Sequence, residues 1–164
     1  MLSLFYGVGS AAAVIIGNEL GRGEKEATYG HGKLMLRATV LLSFAVTLLM
    51  LLSRGLVVRA YDLEPAASAM LSGAIFVYAC YMLPRMISYI LQCGVLRAGG
   101  DTTYCMLAGA ATVWLVSVPA AFCAVLLLHW SLPGVLALLM LGDVLAALLL
   151  LRRFHSRIWL NTLI

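Results

Sequence analysis

The sequence predicts an all-α membrane protein with five transmembrane helices. Of its 164 residues, 63% are hydrophobic and only 11% are charged, and the mean hydropathy of +1.03 lies far outside the range of soluble domains. The charges are separated by long uncharged runs, because an Asp, Lys or Arg at a bilayer centre costs roughly 2.5–3.5 kcal/mol. There is no period-2 alternation, and only helices or closed barrels satisfy their backbone in lipid, so strands are excluded as spans.

The uncharged runs define the predicted helices. They cover residues 1–18, 38–53, 66–84, 86–96 and 102–142, and the last is broken by His129, Trp130 and the Pro133-Gly134 pair. A spanning helix needs about 20 apolar residues. We therefore predict helices near residues 1–19, 35–53, 66–94, 103–128 and 134–151, followed by a cytoplasmic tail at residues 152–164.

The basic residues predict the orientation. Eight of them lie after the first helix, after the third helix or in the tail: Arg22, Lys25, Lys33, Arg37, Arg97, Arg152, Arg153 and Arg157. The alternate loops hold only Arg54 and Arg59, so the first set and the C-terminus are expected in the cytoplasm. This places Met1 outside with no basic residues before the first helix, which suggests the C-terminal piece of a longer chain. The net charge of +4 then reflects basic residues spread over several membrane-edge segments that set the orientation. Because they form no single patch, nucleic-acid binding is not supported.

Four segments resemble one transporter family in order and spacing. They are AAAVIIGNELGRGEKEA at residues 11–27, GVLRAGGDTTY at 94–104, the set Trp114, Pro119 and Gly134, and RRFHSRIW at 152–159. The chain resembles the multidrug and toxin extrusion (MATE) antiporters. The resemblance implies helices 8 to 12 of a twelve-helix transporter, a partial C-terminal lobe whose N-terminal lobe is missing.

The resemblance implies an antiporter of the bacterial inner membrane that exports small organic cations in exchange for H⁺ or Na⁺ and needs no cofactor. The fragment is expected to be inactive alone. A flippase of the same superfamily, for a lipid-linked oligosaccharide or precursor, is the alternative. It would need several cavity-lining cations to hold a pyrophosphate, and only Arg85 is intramembrane here. Enzymatic activity has no support, since the sequence has no phosphate-binding glycine loop, nucleophile–base pair or metal-type spacing.

The stretch GVLRAGGDTTY predicts a capped cytoplasmic turn. Gly99 and Gly100 allow positive φ in a short helix connection. Asp101 precedes the next helix, where its carboxylate would accept from free backbone N–H groups, and Arg97 complements the preceding helix C-terminus. The alternative is that Arg97 and Asp101 belong to an inner gate between the two lobes.

The third helix carries a polar stripe, formed at spacings of three and four by Tyr78, Tyr81, Arg85, Ser88, Tyr89 and Gln92. Arg85 is expected to face a bundle interior or an aqueous cavity. At about 1.5 Å per residue, Arg85 lies roughly 18 Å and Asp143 roughly 13 Å above their cytoplasmic ends, so the two are candidate partners. Two hypotheses follow: an ion pair that fixes helix packing, or a charge-sensitive part of the substrate and ion pathway.

Two further features concern mechanism. Pro84 and Pro119 each delete a helical hydrogen bond, so each is a candidate hinge or a static bend. The third helix also departs from the pattern of some MATE branches, which carry an acid there, because no acid lies between Glu64 and Asp101. The sequence therefore leaves the coupling cation open between H⁺ and Na⁺.

Overall fold

The computed structural model describes residues 2–61, 64–126 and 130–160, and these ranges are helical without any β-strand. The α-helices are α1 (Leu2–Gly21), α2 (Lys25–Ala60), α3 (Pro65–Cys80), α4 (Met82–Tyr89), α5 (Leu96–Ala98), α6 (Thr102–Thr112), α7 (Val118–Leu126), α8 (Leu132–Leu139) and α9 (Leu141–His155). Two π-helical turns, Ile90–Val95 and Val113–Ser117, join α4 to α5 and α6 to α7. The connected pieces form longer rods, which we call the third helix (α3 to α5), the fourth helix (α6 and α7) and the fifth helix (α8 and α9).

Within the described ranges, three helices are long and apolar enough to cross a membrane: Lys25–Ala60, Thr102–Leu126 and Leu132–His155. A fourth span results if the bent pair Pro65–Cys80 and Met82–Ala98 counts as one. The fold is thus all-helical with three or four candidate spans. The first predicted segment forms a helix, α1, that is not among these candidates, so the count of five spans stays a prediction.

The second helix is longer than the uncharged run that predicted it. It covers 36 residues, or about 54 Å, whereas the hydrocarbon core of a bilayer is about 30 Å thick. Its first turns carry Lys25, Lys33 and Arg37 and therefore extend beyond the apolar section at residues 38–53. The uncharged run therefore predicts the apolar section of α2 but not its ends, because the helical hydrogen bonds continue into the charged residues on either side.

The third helix bends by 47° between Pro65–Cys80 and Met82–Ala98. Pro84 lies three residues beyond the break at Tyr81 and has no N–H to donate to the carbonyl of Cys80, and its ring crowds that carbonyl. In the fourth helix, Pro119 is the second residue of α7, directly after the π turn Val113–Ser117. Pro84 therefore lies beside a bend, whereas Pro119 lies within the continuous candidate span Thr102–Leu126, and hinge motion at either proline stays a prediction. The predicted end of the fourth helix, residues 127–128, lies outside the described residues.

Buried apolar side chains concentrate where α1, the C-terminal half of the third helix and α9 meet. This core includes Ile16, Leu20, Leu91, Leu96 and Leu150. The outer faces of the rods expose large apolar side chains such as Leu52, Leu56 and Leu115. Exposed apolar surface of this extent is expected where lipid is the solvent.

The segment predicted as a tail, residues 152–164, begins as the last turn of α9 and then packs against the core. The helix continues to His155, and the chain then turns back at Arg157, whose φ is +57°. Trp159 is completely buried, its indole N–H donates to the carbonyl of Phe154 at 3.0 Å, and its ring stacks on that of Phe154 with centroids 5.5 Å apart. Residues 156–160 thereby cover the end of the core beside Gly99. Residues 161–164 lie outside the described part of the chain.

The turn between the third and fourth helices is built around that tryptophan. Gly100 has a positive φ, +84°, the freedom that the sequence led us to expect of both glycines, whereas Gly99 has a φ of −77° and does not use that freedom. Gly99 is needed for a different reason. A Cβ there would overlap the ring and the carbonyl oxygen of Trp159.

Candidate functional site

The candidate site is built on α4, which turns its polar face toward α9 beyond the 47° bend. Arg85 Nη1 lies 3.5 Å from Asp143 Oδ2, and the guanidinium sits over the ring of Tyr78, 5.5 Å from its centroid. Ser88 Oγ donates to the main-chain carbonyl of Asp143 at 3.1 Å. Side chain and backbone of Asp143 are thus both held by α4.

A glycine allows the fourth helix to approach the same point. Gly142, which precedes Asp143, lies so close to Ser117 and to the carbonyl of Thr112 that a Cβ would not fit. The π turn Val113–Ser117 consequently packs against α9 beside Asp143. The pair of Arg85 and Asp143 therefore lies where three rods meet.

The Arg85–Asp143 pair lines two cavities at once. One, which we call the apolar cavity, has a volume of about 550 Å³ and is walled by side chains of the fourth and fifth helices, including Ser117, Phe122 and Leu139. The other, the tyrosine cavity, has a volume of about 190 Å³ and is walled by Tyr6 of α1 and by the stripe. The pair forms a shared wall between them. Its side chains are 40% and 33% exposed, so both charges have access to cavity space.

The rest of the stripe extends this series of cavities toward the turn between the third and fourth helices. Tyr6 and Tyr89 also line a groove of about 550 Å³ along α1, which ends at Arg97. Gln92 and Arg97 line a further cavity of about 500 Å³ beside the start of α6. Cavities lined by polar side chains of one helix face thus lie from the Arg85–Asp143 pair to Arg97.

The structure brings together most, but not all, of the predicted stripe. Arg85, Ser88, Tyr89 and Gln92 line the tyrosine cavity, and Tyr78 contacts the guanidinium of Arg85. Tyr81 sits at the bend and lines none of the four cavities described above.

Asp101 does not cap the next helix, contrary to the prediction. Although it occupies the position before α6, its side chain makes no capping hydrogen bond. Its two carboxylate oxygens accept from Arg153 instead, from Nε at 2.5 Å and from Nη2 at 3.3 Å. The pair is largely buried, at 25% and 11% exposure, because the end of α9 lies directly against the turn. The carboxylate of Asp101 is thus bound to α9 of the same chain, whereas Arg97 is exposed on the groove along α1.

Replacing Asp101 with asparagine separates these two roles. Asparagine is as good a helix N-cap as aspartate, so a capping role predicts little change. Loss of the hydrogen-bonded ion pair with Arg153 instead predicts a lower free energy of unfolding, by about 1.5–3 kcal/mol. The measurement is thermal unfolding in detergent, with Glu64→Gln as the control, since Glu64 precedes α3 without a capping bond. Equal melting temperatures for the two variants would contradict the assigned role.

Sequence reasoning missed the contribution of α1. Tyr6 and Ser10 line the groove together with Gly9, Ala13 and Gly17, and Phe5 and Tyr6 line the tyrosine cavity. The signal was available as a small and polar face at spacings of three and four. Ser117, which lines the apolar cavity, had no comparable signal because the π turn shifts the helical register.

A bundle of apolar helices with an intramembrane ion pair and a polar face lined by cavities defines an integral membrane protein of the transporter class. The family model described as MatE matches residues 1–123. The chain therefore belongs to the MatE family, the MATE transporters, whose members are transporters rather than enzymes. The match ends before α8, so Asp143 lies outside it. Neither a curated protein nor a solved structure matches the chain.

Proposed function

We propose that this chain forms helices 8 to 12 of a twelve-helix antiporter that exports small organic cations in exchange for H⁺ or Na⁺. In this proposal all five helices cross the bacterial inner membrane and the C-terminus is cytoplasmic. The excess of basic residues after the first and third helices and at the C-terminus supports this orientation. The missing N-terminal lobe is the necessary partner.

The observation that carries the proposal is the position of the Arg85–Asp143 pair between two cavities. The contact between the two charged side chains is 3.5 Å long, at the outer limit of a hydrogen bond. A proton or cation that neutralises Asp143 weakens its attraction for Arg85, so the charge state of one residue alters the wall between two cavities. Coupled transport requires such a link between ion binding and conformation.

The walls of the cavities support a cationic, partly apolar substrate. Phe122 lines the apolar cavity, and Tyr6 and Tyr89 line the tyrosine cavity; aromatic faces attract organic cations. Asp143 is the acid available to both cavities, so a cationic substrate and the coupling cation would compete for one charge. For a flippase, a second cation beside Arg85 would be expected in these walls to hold a pyrophosphate.

The openness of these cavities supports the need for a second lobe. Tyr6 is 55% exposed, and the groove along α1 lies on the surface of the bundle between α1 and the third helix. A transporter must close its path on one side of the membrane at a time. The chain expressed alone is therefore expected to give no efflux.

The test is pH-dependent drug efflux by the complete transporter carrying Asp143→Asn. The variant keeps the size of the side chain but cannot change charge, so we expect the dependence of efflux on the imposed proton or sodium gradient to fall by about 5- to 150-fold, the range of ordinary coupling free energies. Glu64→Gln, an acid outside the third helix, is the matched control. Unchanged gradient dependence in Asp143→Asn would remove this residue from the coupling mechanism. Transport of a lipid-linked precursor in place of organic cations would overturn the assignment as a drug antiporter.

A further inference from the structure

We infer that Tyr6 and Tyr89 form an aromatic gate between the tyrosine cavity and the groove that leads to Arg97. The inference rests on the proposed transport function and adds to it a place where passage is controlled. The gate lies on the cytoplasmic side of the Arg85–Asp143 pair, at the meeting point of α1 and the third helix.

One ring contact and two shared cavity walls define this gate. The two tyrosine rings meet edge to face, with centroids 5.1 Å apart and planes at 67°. Both residues line the tyrosine cavity and both line the groove, so the rings stand at the boundary between the two spaces. Any solute that moves from the groove to the charged pair along this face must pass them.

Gly9 provides the room that the gate needs. A Cβ at this position would lie 3.0 Å from Cε1 of Tyr89, closer than ordinary van der Waals contact, so the ring of Tyr89 rests against the bare backbone of α1. A side chain here would compete with the ring for the closed position.

The backbone beside Tyr89 is suited to a moving side chain. Tyr89 is the last residue of α4, and the π turn Ile90–Val95 begins immediately after it. Single π turns inside α-helices occur frequently at functional sites, where they interrupt the regular hydrogen-bond pattern. Tyr6 lies on a neighbouring helix and is more than half exposed, whereas Tyr89 is half-buried beside a core cluster, so Tyr6 is the ring with the greater freedom to move.

The chemistry of the rings matches the proposed substrates. An edge-to-face aromatic pair is weak enough to open repeatedly. A flat organic cation that enters between the rings replaces the ring–ring contact with cation–π contacts to one or both faces. The gate would thus be opened by the cargo itself, while water and small ions gain no comparable contact.

Thiol labelling of Ser88→Cys tests the gate without requiring transport. Ser88 lines the tyrosine cavity and is 7% exposed. The complete transporter, with its other cysteines replaced, is placed in inside-out vesicles and treated with a membrane-impermeant maleimide. We expect Tyr89→Ala and Tyr6→Ala each to speed labelling several-fold, up to about tenfold, the population change that loss of one aromatic pair produces.

Two variants separate a gate from general loosening. Tyr89→Phe keeps the ring and should label as slowly as the parent. Tyr81→Ala removes a tyrosine from the same helix that lines neither space and should also label slowly. Labelling of both alanine variants of the gate at the rate of Tyr81→Ala would overturn the inference. Fast labelling without any cation efflux would leave the gate standing and refute the proposed transport function, so the two failures are distinguishable.

Discussion

Replacing Trp159 with alanine is expected to give the largest loss of stability of any single substitution considered for this chain. The indole is completely buried, stacks on Phe154 and fills the space over Gly99. Phe154 in turn stacks on Tyr29 of α2, with centroids 5.2 Å apart. Truncation of a buried tryptophan leaves a cavity and typically costs about 3–5 kcal/mol.

The measurement is thermal unfolding in detergent, monitored through the reaction of Cys105 with a thiol-reactive dye. Cys105 belongs to the same core and is 4% exposed, so it becomes reactive only when that core opens. The matched control is Trp114→Ala, since Trp114 is 69% exposed. Equal melting temperatures for the two variants would contradict the packing described for residues 156–160.

Gly99→Ala tests the same packing from the opposite side. The added methyl would overlap both the ring and the main chain of Trp159, so we expect a lower melting temperature even though the φ of Gly99 is −77° and suits alanine. Gly30→Ala is the control, because nothing lies within 4 Å of its Cβ position and alanine in place of a helical glycine stabilises by about 0.5–1 kcal/mol. A stabilising effect of both substitutions would show that Trp159 is not seated on Gly99.

A double-mutant cycle on the Arg85–Asp143 pair is expected to give the second large effect. Arg85→Ala and Asp143→Ala each leave one charge inside the bundle without its partner, whereas the double variant removes both charges. Each single loss should therefore destabilise more than the double loss. Because the side chains are 40% and 33% exposed, the single effects should stay below the roughly 3–5 kcal/mol typical of a fully buried pair.

The same dye-based unfolding assay gives the free energies, and cation efflux by the complete transporter gives the functional consequence. Arg54→Ala is the control, since Arg54 donates to Ser72 at 2.6 Å and its removal leaves no unpaired charge. Restored stability in the double variant without restored efflux would show that the pair serves transport as well as packing. Additive single and double effects would mean that the two charges do not interact.

Part of the polar site can be predicted from the sequence, because helix geometry fixes both the face and the depth of a residue. Spacings of three and four assign residues to a helix face, and the distance from a charged helix end gives the depth in the membrane, so the sequence predicts Arg85 and Asp143 as partners. Their side chains lie 3.5 Å apart. Neither spacing nor depth identifies the neighbouring helix, and Tyr6, on α1, was therefore missed.

The turn between the third and fourth helices shows what local rules cannot decide. The local rules for GVLRAGGDTTY predicted a capping aspartate and glycines free to adopt positive φ. Asp101 makes no capping hydrogen bond, and of the two glycines Gly100 has a positive φ. Asp101 pairs with Arg153, 52 residues away, and Gly99 makes room for Trp159. In both cases a tertiary contact, with Arg153 or with Trp159, decided the role of the residue in place of the local sequence.

The sequence alone determined that the helices are suited to lipid and where they lie along the chain. Lipid accepts only largely apolar segments with internal backbone hydrogen bonds, and most charges lie outside such segments. These properties accumulate residue by residue along the chain. The tertiary structure alone decided which charges meet, which cavities share a wall and where the C-terminal segment turns back. Those outcomes depend on contacts between residues far apart in sequence, and a one-dimensional pattern specifies the face of a helix without specifying what that face touches.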